Sequence, residues 1–225
     1  MQVNKLHIST TVALLFHVCG AVGIVCTPYR DWFIQHTPLN LLLMALLLVW
    51  NQQDKNPRFF LFLFIAFATG MLTEIAGVQS GLLFGTYSYG TVMGARIGGV
   101  PWLIGLNWAV IMICTGSVMA MLLEQVAIKD PGRAMPARLQ QFSLVLDAAI
   151  LAVVFDWIME PAAVKLGFWQ WENGVIPVYN YVCWFAISLL LLFIFSRMRF
   201  RKENRFAAHL LIIQALFFLI IRTFM

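Results

Sequence analysis

Asp156 and Glu160 stand four residues apart in the stretch FDWIMEP, with apolar sequence from Ala148 to Phe155 before them and from Ala162 to Val164 after them. On a helix that spacing brings both carboxyls onto one face, roughly 40° apart. An ionised Asp at the centre of a membrane helix costs about 2.5–3.5 kcal/mol on insertion scales, so an acid in such a run is protonated, paired or put to use. Two carboxyls this close in a low dielectric resist joint ionisation, and one is expected to hold its proton near neutral pH. A buried carboxylic acid of that kind is a proton donor. Of the ten acids, Asp31, Asp54, Glu124, Asp130, Glu172 and Glu203 fall in loops or at helix ends, which leaves Glu74 and Asp147 as the other two inside apolar segments. Asp147 precedes Asp156 by nine residues, half a helical turn out of phase, and belongs elsewhere.

The segments that follow Glu74 and Asp156 read EIAGVQSGLLFGTYSYGTVMGARIGGVPWLIGLNW and DWIMEPAAVKLGFWQWENGVIPVYNYVCW. Each acid is followed eleven residues later by a glycine, Gly85 or Gly167, and then by an aromatic-x-aromatic triplet, Tyr87/Tyr89 or Trp169/Trp171. A Gly-Val, a Pro, an Asn and a Trp then come in the same order: Gly99, Val100, Pro101, Asn107, Trp108 in the first, and Gly174, Val175, Pro177, Asn180, Trp184 in the second. This is the pattern of a degenerate duplication of a two-helix unit. Both copies would start on the same side of the membrane, as parallel repeats about an axis along its normal, with a site between them and Glu74 facing Asp156. The glycines from Gly77 to Gly99 suit irregular backbone, which at membrane depth must line protein or a cavity. The aromatics could instead form an interfacial belt, and the acids could pair with Lys165 or Arg96 and simply staple helices together.

The elements that position these residues are membrane helices. The chain is 61% hydrophobic and 11% charged, against about 25% charged for an average soluble domain. Stretches near the length that crosses a hydrocarbon core occur at 6–26, 34–50, 59–78, 100–123, 143–164, 181–198 and 206–224. The expected fold is therefore an all-α polytopic membrane protein of about seven helices, a single integral membrane domain over 1–225, with the third and fourth spans duplicated as the fifth and sixth. The second span is the shortest, because Thr37-Pro38 reads as a helix start. No cleaved signal peptide is expected. Eleven basic residues fall on the N-terminal side of this topology and four, Arg30, Arg96, Lys165 and Arg222, on the other. The positive-inside rule then puts the N-terminus in the cytoplasm and the C-terminus outside, in the cytoplasmic membrane. The net charge of +5 reflects topology and anionic lipid, not nucleic acid.

Other chemistry has little support. Cys19, Cys26, Cys114 and Cys183 show neither metal-ligand nor disulfide spacing, and phosphate-loop, dinucleotide, HExxH and GxSxG patterns do not occur. No metal and no cofactor are expected. His17, in mid-membrane, reads as a helix-to-helix hydrogen bond. A dry cavity walled by aromatics and holding a protonated carboxyl suits one reaction well, protonation of a carbon-carbon double bond in a hydrophobic polyene. Aromatic faces stabilise the resulting cation, and exclusion of water lets a carboxylic acid act on a weak base.

The stretches FGTYSYG, GGVPWLIGLNW and DWIMEPAAVKLGFWQWENGVIPVYNYVCWF resemble the carotenoid biosynthesis membrane family that includes the carotenoid 1,2-hydratases, over roughly 40–195. The resemblance implies addition of water across the terminal C1=C2 bond of an acyclic end group, as in lycopene or γ-carotene, giving a tertiary alcohol without cofactor or metal. It also implies a carotenoid polyene as substrate, membrane lipid as surroundings and other carotenoid-pathway enzymes as candidate partners. The related small-subunit lycopene cyclases carry Pro-x-Glu-Glu, whereas no two acids are adjacent here, which favours hydration over cyclisation. In that scheme Asp156, or its neighbour Glu160, protonates C2, and Glu74 orients and deprotonates water with Asn107 and Asn180. The rings of Tyr87, Tyr89, Trp108, Trp169, Trp171 and Trp184 face the cation. A cyclase, a proton-coupled or lipophile transporter and an assembly subunit are the alternatives.

Overall fold

The computed structural model describes residues 4–129 and 135–225. Arg133 and Asp130, counted above among the loop charges, lie outside the described residues. In chain order the elements are α1 (Lys5–Cys26), α2 (Arg30–Gln35), α3 (Thr37–Asn51), α4 (Pro57–Ser80), β1 (Tyr87–Tyr89), β2 (Arg96–Ile97), β3 (Val100–Pro101), α5 (Trp102–Lys129), α6 (Ala137–Lys165), β4 (Trp169–Trp171), α7 (Val178–Arg197) and α8 (Arg205–Phe224). Among the described residues six helices, α1, α4, α5, α6, α7 and α8, are long and apolar enough to cross a membrane. The protein is an all-helical polytopic membrane protein.

The expected second span is different in form. The chain breaks at His36 into a six-residue α2 and a 15-residue α3, because Pro38 has no N–H to return to residue 34 and so starts a helix better than it continues one. At 1.5 Å per residue α3 is roughly 22 Å long. It still reverses the chain. Asn51 at its end donates from Nδ2 to Ser9 Oγ in the first turns of α1 at 2.7 Å, and Gln52 Nε2 reaches the carbonyl of Arg201 at 2.6 Å. Gln141 on α6 likewise meets Ser196 on α7 at 2.9 Å. These bonds gather one end of the bundle, the basic end. At the far end Lys165 Nζ donates to the Arg222 carbonyl at 2.8 Å, and Tyr179 Oη to that of Leu82 at 3.0 Å.

Helix α5 sits at the centre, packed against α3, α4, α6, α7 and α8, and an unbroken run from Trp108 to Ser117 is buried on all sides. A helix apolar all round belongs in such a place. The outer helices turn Leu14, Leu15, Val18, Phe64, Leu72 and Phe193 outward, as a lipid-facing surface requires. Helix α4 begins with Asn56 capping the Phe59 N–H at 3.0 Å and stops at Gly81, whose left-handed φ of 66° ends the helix.

The duplicated units are α4–β1–α5 and α6–β4–α7. Strands β1 and β4 pair antiparallel, with Tyr87 opposite Trp171, Ser88 opposite Gln170 and Tyr89 opposite Trp169. A shift of 82 positions carries Glu74 onto Asp156 and Gly85, Tyr87, Ser88 and Tyr89 onto Gly167, Trp169, Gln170 and Trp171. That shift maps the ladder onto itself, so the pairing has local two-fold symmetry centred on Ser88 and Gln170. Gly85 and Gly167 both take positive φ, 115° and 70°. Trp108 and Trp184, the closing tryptophans of the two units, stack at 3.8 Å and 11°. Beyond the ladder Gly90 donates to the Phe168 carbonyl at 2.8 Å, and a Cβ at Gly90 would meet the Gly167 carbonyl oxygen.

Candidate functional site

Between the two units, in the far half of the bundle, lies a cavity of about 30 Å³ whose wall includes Glu74, Tyr87, Tyr89, Asn107, Trp108, Asp156, Glu160, Trp169, Trp171, Asn180 and Trp184. Every residue singled out from the sequence for the site lines it. Phe84, Ile104 and Met159 complete the wall; as apolar residues in apolar segments they gave no signal of their own.

The three acids are held differently. Glu74 is buried and receives three donors: the hydroxyls of Tyr87 and Tyr89 both reach Oε2, the latter at 2.7 Å, and Trp108 Nε1 reaches Oε1 at 3.0 Å. Burial first, and then the adjacent Glu74 carboxyl, push both tyrosine hydroxyls well above their usual range, so they stay neutral donors. Glu160 takes the indole N–H of Trp169 at 2.9 Å and of Trp171 at 3.0 Å, both on Oε2. An indole nitrogen donates only, so that oxygen serves as an acceptor. Asn180 Nδ2 donates to Asp156 Oδ2 at 3.0 Å and more distantly to Glu160 Oε1 at 3.4 Å. Asp156 is fully buried, and its Oδ1 has no hydrogen-bond partner among the described residues.

Neither candidate cation meets these acids. Lys165 is held by the Arg222 carbonyl, and Arg96 donates to the carbonyls of Tyr89 and Gly90 at 3.0 and 2.6 Å. Among the described residues the three acids form no ion pair that would staple helices. Pro161, inside α6, removes the N–H that would have bonded the Trp157 carbonyl; Arg222 Nη1 lies 3.5 Å from that oxygen and its guanidinium 4.6 Å from the Trp157 ring centre. Asp147 stands apart, receiving the Ser143 hydroxyl. His17 differs from expectation: its Nδ1 bonds the Ala13 carbonyl of its own helix at 2.7 Å, because a side chain four residues on reaches that oxygen more readily than a neighbouring helix, and its ring meets Phe217 edge-on.

A second, far larger cavity of about 510 Å³ adjoins the first. Ile104, Asn107, Met159 and Trp169 stand in the walls of both. Its lining is mainly apolar, from Leu15, Phe16 and Ile24 on α1, Leu41 and Leu43 on α3 and Phe217 and Phe218 on α8, with His17, His36, Thr37, Asn40, Asn107 and Gln214 as polar exceptions. Leu15 and Phe16 are also exposed on the outer face of the bundle, so the cavity lies beside the lipid-facing surface. This chamber draws on residues scattered over the whole chain; polar Asn40 and Gln214 within apolar helices were the available signal.

The arrangement can therefore present one carboxyl oxygen to an apolar ligand while two further carboxyls are fixed as acceptors by five aromatic donors. The family model described as carotenoid biosynthesis protein matches residues 36–225. The bisanhydrobacterioruberin hydratase of Haloarcula japonica is 23% identical over 212 residues, covering 87% of this chain and 68% of that protein. No solved structure matches. With the match running through both repeats and all three acids, the chain belongs to the carotenoid biosynthesis protein family.

Proposed function

We propose that this protein is a carotenoid hydratase, adding water across the terminal C1=C2 bond of an acyclic end group of the lycopene or γ-carotene type. The observation that carries the reading is the free oxygen of Asp156 in a cavity walled in common with a large apolar chamber. The end of the polyene occupies the chamber with its terminal alkene at the shared wall. Asp156 gives its proton to C2, and the positive charge falls on the tertiary C1, opposite the rings of the aromatic wall. Water adds to C1, and Glu74, presented as an acceptor by its three donors, takes the proton that water loses. The proton returns across the cavity to Asp156, so the net change is H at C2 and OH at C1. Glu160 as the donor is the second arrangement; two indole N–H groups on one of its oxygens speak for Asp156 instead.

The chemistry needs no cofactor or metal. Eleven basic residues at one end of the topology against four at the other support a cytoplasmic N-terminus and an outer acid cluster. Membranes carrying the protein, given lycopene or γ-carotene in D₂O enriched in ¹⁸O, are expected to yield a 1-hydroxy carotenoid with deuterium at C2 and ¹⁸O at C1. A deuterated new ring without ¹⁸O would make the protein a cyclase, and unchanged, unlabelled polyene from folded protein would make it a transporter or an assembly subunit.

A further inference from the structure

If the hydratase reading holds, water is a substrate as much as the polyene is, and it must reach C1 through a bundle that is apolar nearly throughout. The acid cavity, at about 30 Å³, is large enough to admit water, and its wall is largely aromatic. The polar lining of the larger chamber offers a route to it. His36 and Thr37 stand half-buried at the start of α3, towards the far end of the bundle. Asn40, one turn further on, lines the same chamber, and its Oδ1 is buried without a hydrogen-bond partner among the described residues. Asn107 on α5, which packs against α3, is the polar member of the wall common to both cavities. Inside the acid cavity the other unpartnered oxygen is Asp156 Oδ1. Each cavity thus has one buried acceptor without a partner among the residues that line it, with Asn107 in the wall common to both, and buried polar groups of this kind are where ordered water is held.

We propose that Asn40 is a water-positioning residue. With Asn107 it holds water along the seam of α3 and α5 and delivers it to the acid cavity, leaving the apolar remainder of the chamber to the polyene. Asn40 does not touch the reacting carbons; it acts by keeping water within reach of the cation once C2 has been protonated. A cation formed without water at hand loses a proton and returns to alkene. Removal of Asn40 therefore changes the fate of the cation more than the rate of its formation.

The test compares Asn40→Leu and Asn107→Leu with the unaltered protein in D₂O enriched in ¹⁸O. Deuterium at C2 of recovered unhydrated polyene counts cations that reverted, and ¹⁸O at C1 counts those captured. The ratio of reverted to captured is expected to rise about tenfold or more in both variants, and to move back towards the starting value in Asn40→Ser, which restores a polar group. A merely structural defect lowers both counts together and leaves the ratio unchanged. A second measurement does not depend on turnover. Met159 is buried in the walls of both cavities, so hydroxyl radicals generated from bound water by X-ray pulses will oxidise it, with buried Met112, which lines neither cavity, as the baseline. Oxidation of Met159 is expected to fall several-fold in Asn40→Leu. An unchanged ratio, or unchanged Met159 oxidation, overturns the proposal. If the unaltered protein forms no hydrated product, the hydratase reading fails, and the Met159 yield alone then decides whether Asn40 holds water.

Discussion

The two halves of the duplicated unit use the same parts to different ends. In the first there is one acid: Glu74 takes two phenols and an indole, and both its oxygens are engaged. In the second there are two acids. The triplet equivalent to Tyr87 and Tyr89 is Trp169 and Trp171, yet it clamps Glu160 and not Asp156, the residue that corresponds to Glu74 in sequence. The first half has Val78 where the second has Glu160. The aromatic donors of this half go to the acid one turn along, and Asp156 has a single amide donor, from Asn180. A symmetric cavity would hold two equally satisfied carboxylates, poorly suited to giving up a proton. The unpartnered carboxyl oxygen lies where the symmetry is broken.

Asp156→Asn should have the largest effect, because the amide keeps the shape and removes the proton to be given. Loss of a general acid typically costs 10²–10⁴ in rate, so a fall of about 1,000-fold in hydrated product is expected in membranes with matched protein levels. Near-normal turnover would make the asymmetry irrelevant to catalysis. Next come Glu160→Gln and Glu74→Gln, each expected to lose about 100-fold. A glutamine keeps only one acceptor oxygen: at Glu74 its NH₂ group must face either the Trp108 N–H, which cannot accept, or the two tyrosine hydroxyls, which would have to turn, and at Glu160 it faces the Asn180 amide, so both variants disturb the hydrogen bonds as well as the proton balance. If Glu160→Gln were the more severe of all three, the donor would be Glu160, and the sequence correspondence between Glu74 and Asp156 would be misleading about roles.

The clamps themselves permit a finer comparison. Trp169→Phe and Tyr87→Phe each remove one of several donors and leave a ring in place. Losses of about 5- to 30-fold are expected, from a hydrogen bond to a charged group worth roughly 1.5–3 kcal/mol with part of that recovered by the remaining donors. Comparable losses from the two halves would show both clamps serving the same reaction. An effect confined to Tyr87→Phe would leave Glu160 a structural acid.

Much of this was legible from residue types. An acid in an apolar run is costly enough to be noticed, and Glu74, Asp156 and Glu160 stood out for that reason; the period of 82 was readable because glycine and aromatic positions carry backbone and interface constraints. The partners of the acids were not legible. Spacing pointed to Trp169 and Trp171 as ring walls for a cation, and only the positions of α6 and β4 show their N–H groups converging on Glu160. The break at His36 was half visible in Thr37-Pro38, but a proline is equally compatible with a helix start and with a kink. The large chamber was invisible, since its walls come from α1, α2, α3, α5, α6, β4 and α8 and its residues are ordinary apolar ones apart from His17, His36, Thr37, Asn40, Asn107 and Gln214.

The smallest expected effect isolates the comparison from the general cost of altering an acid in a membrane helix. Asp147 lies on α6, as Asp156 and Glu160 do, but nearer the basic end, where the Ser143 hydroxyl donates to it from one turn before. It lines neither cavity. Asp147→Asn is the same chemical change on the same helix as Asp156→Asn, and both replace a carboxyl by an amide of equal size in an apolar run. Turnover within about twofold of the unaltered protein is expected, because acid-base work requires the group to stand within hydrogen-bond reach of the proton it moves. A tenfold loss for Asp147→Asn would mean that an acid anywhere on α6 matters, through insertion or packing, and the sensitivity of Asp156 would then say nothing about a proton. A neutral Asp147→Asn beside a dead Asp156→Asn places the requirement in the acid cavity, at the one oxygen of its three carboxyls that no donor among the described residues occupies.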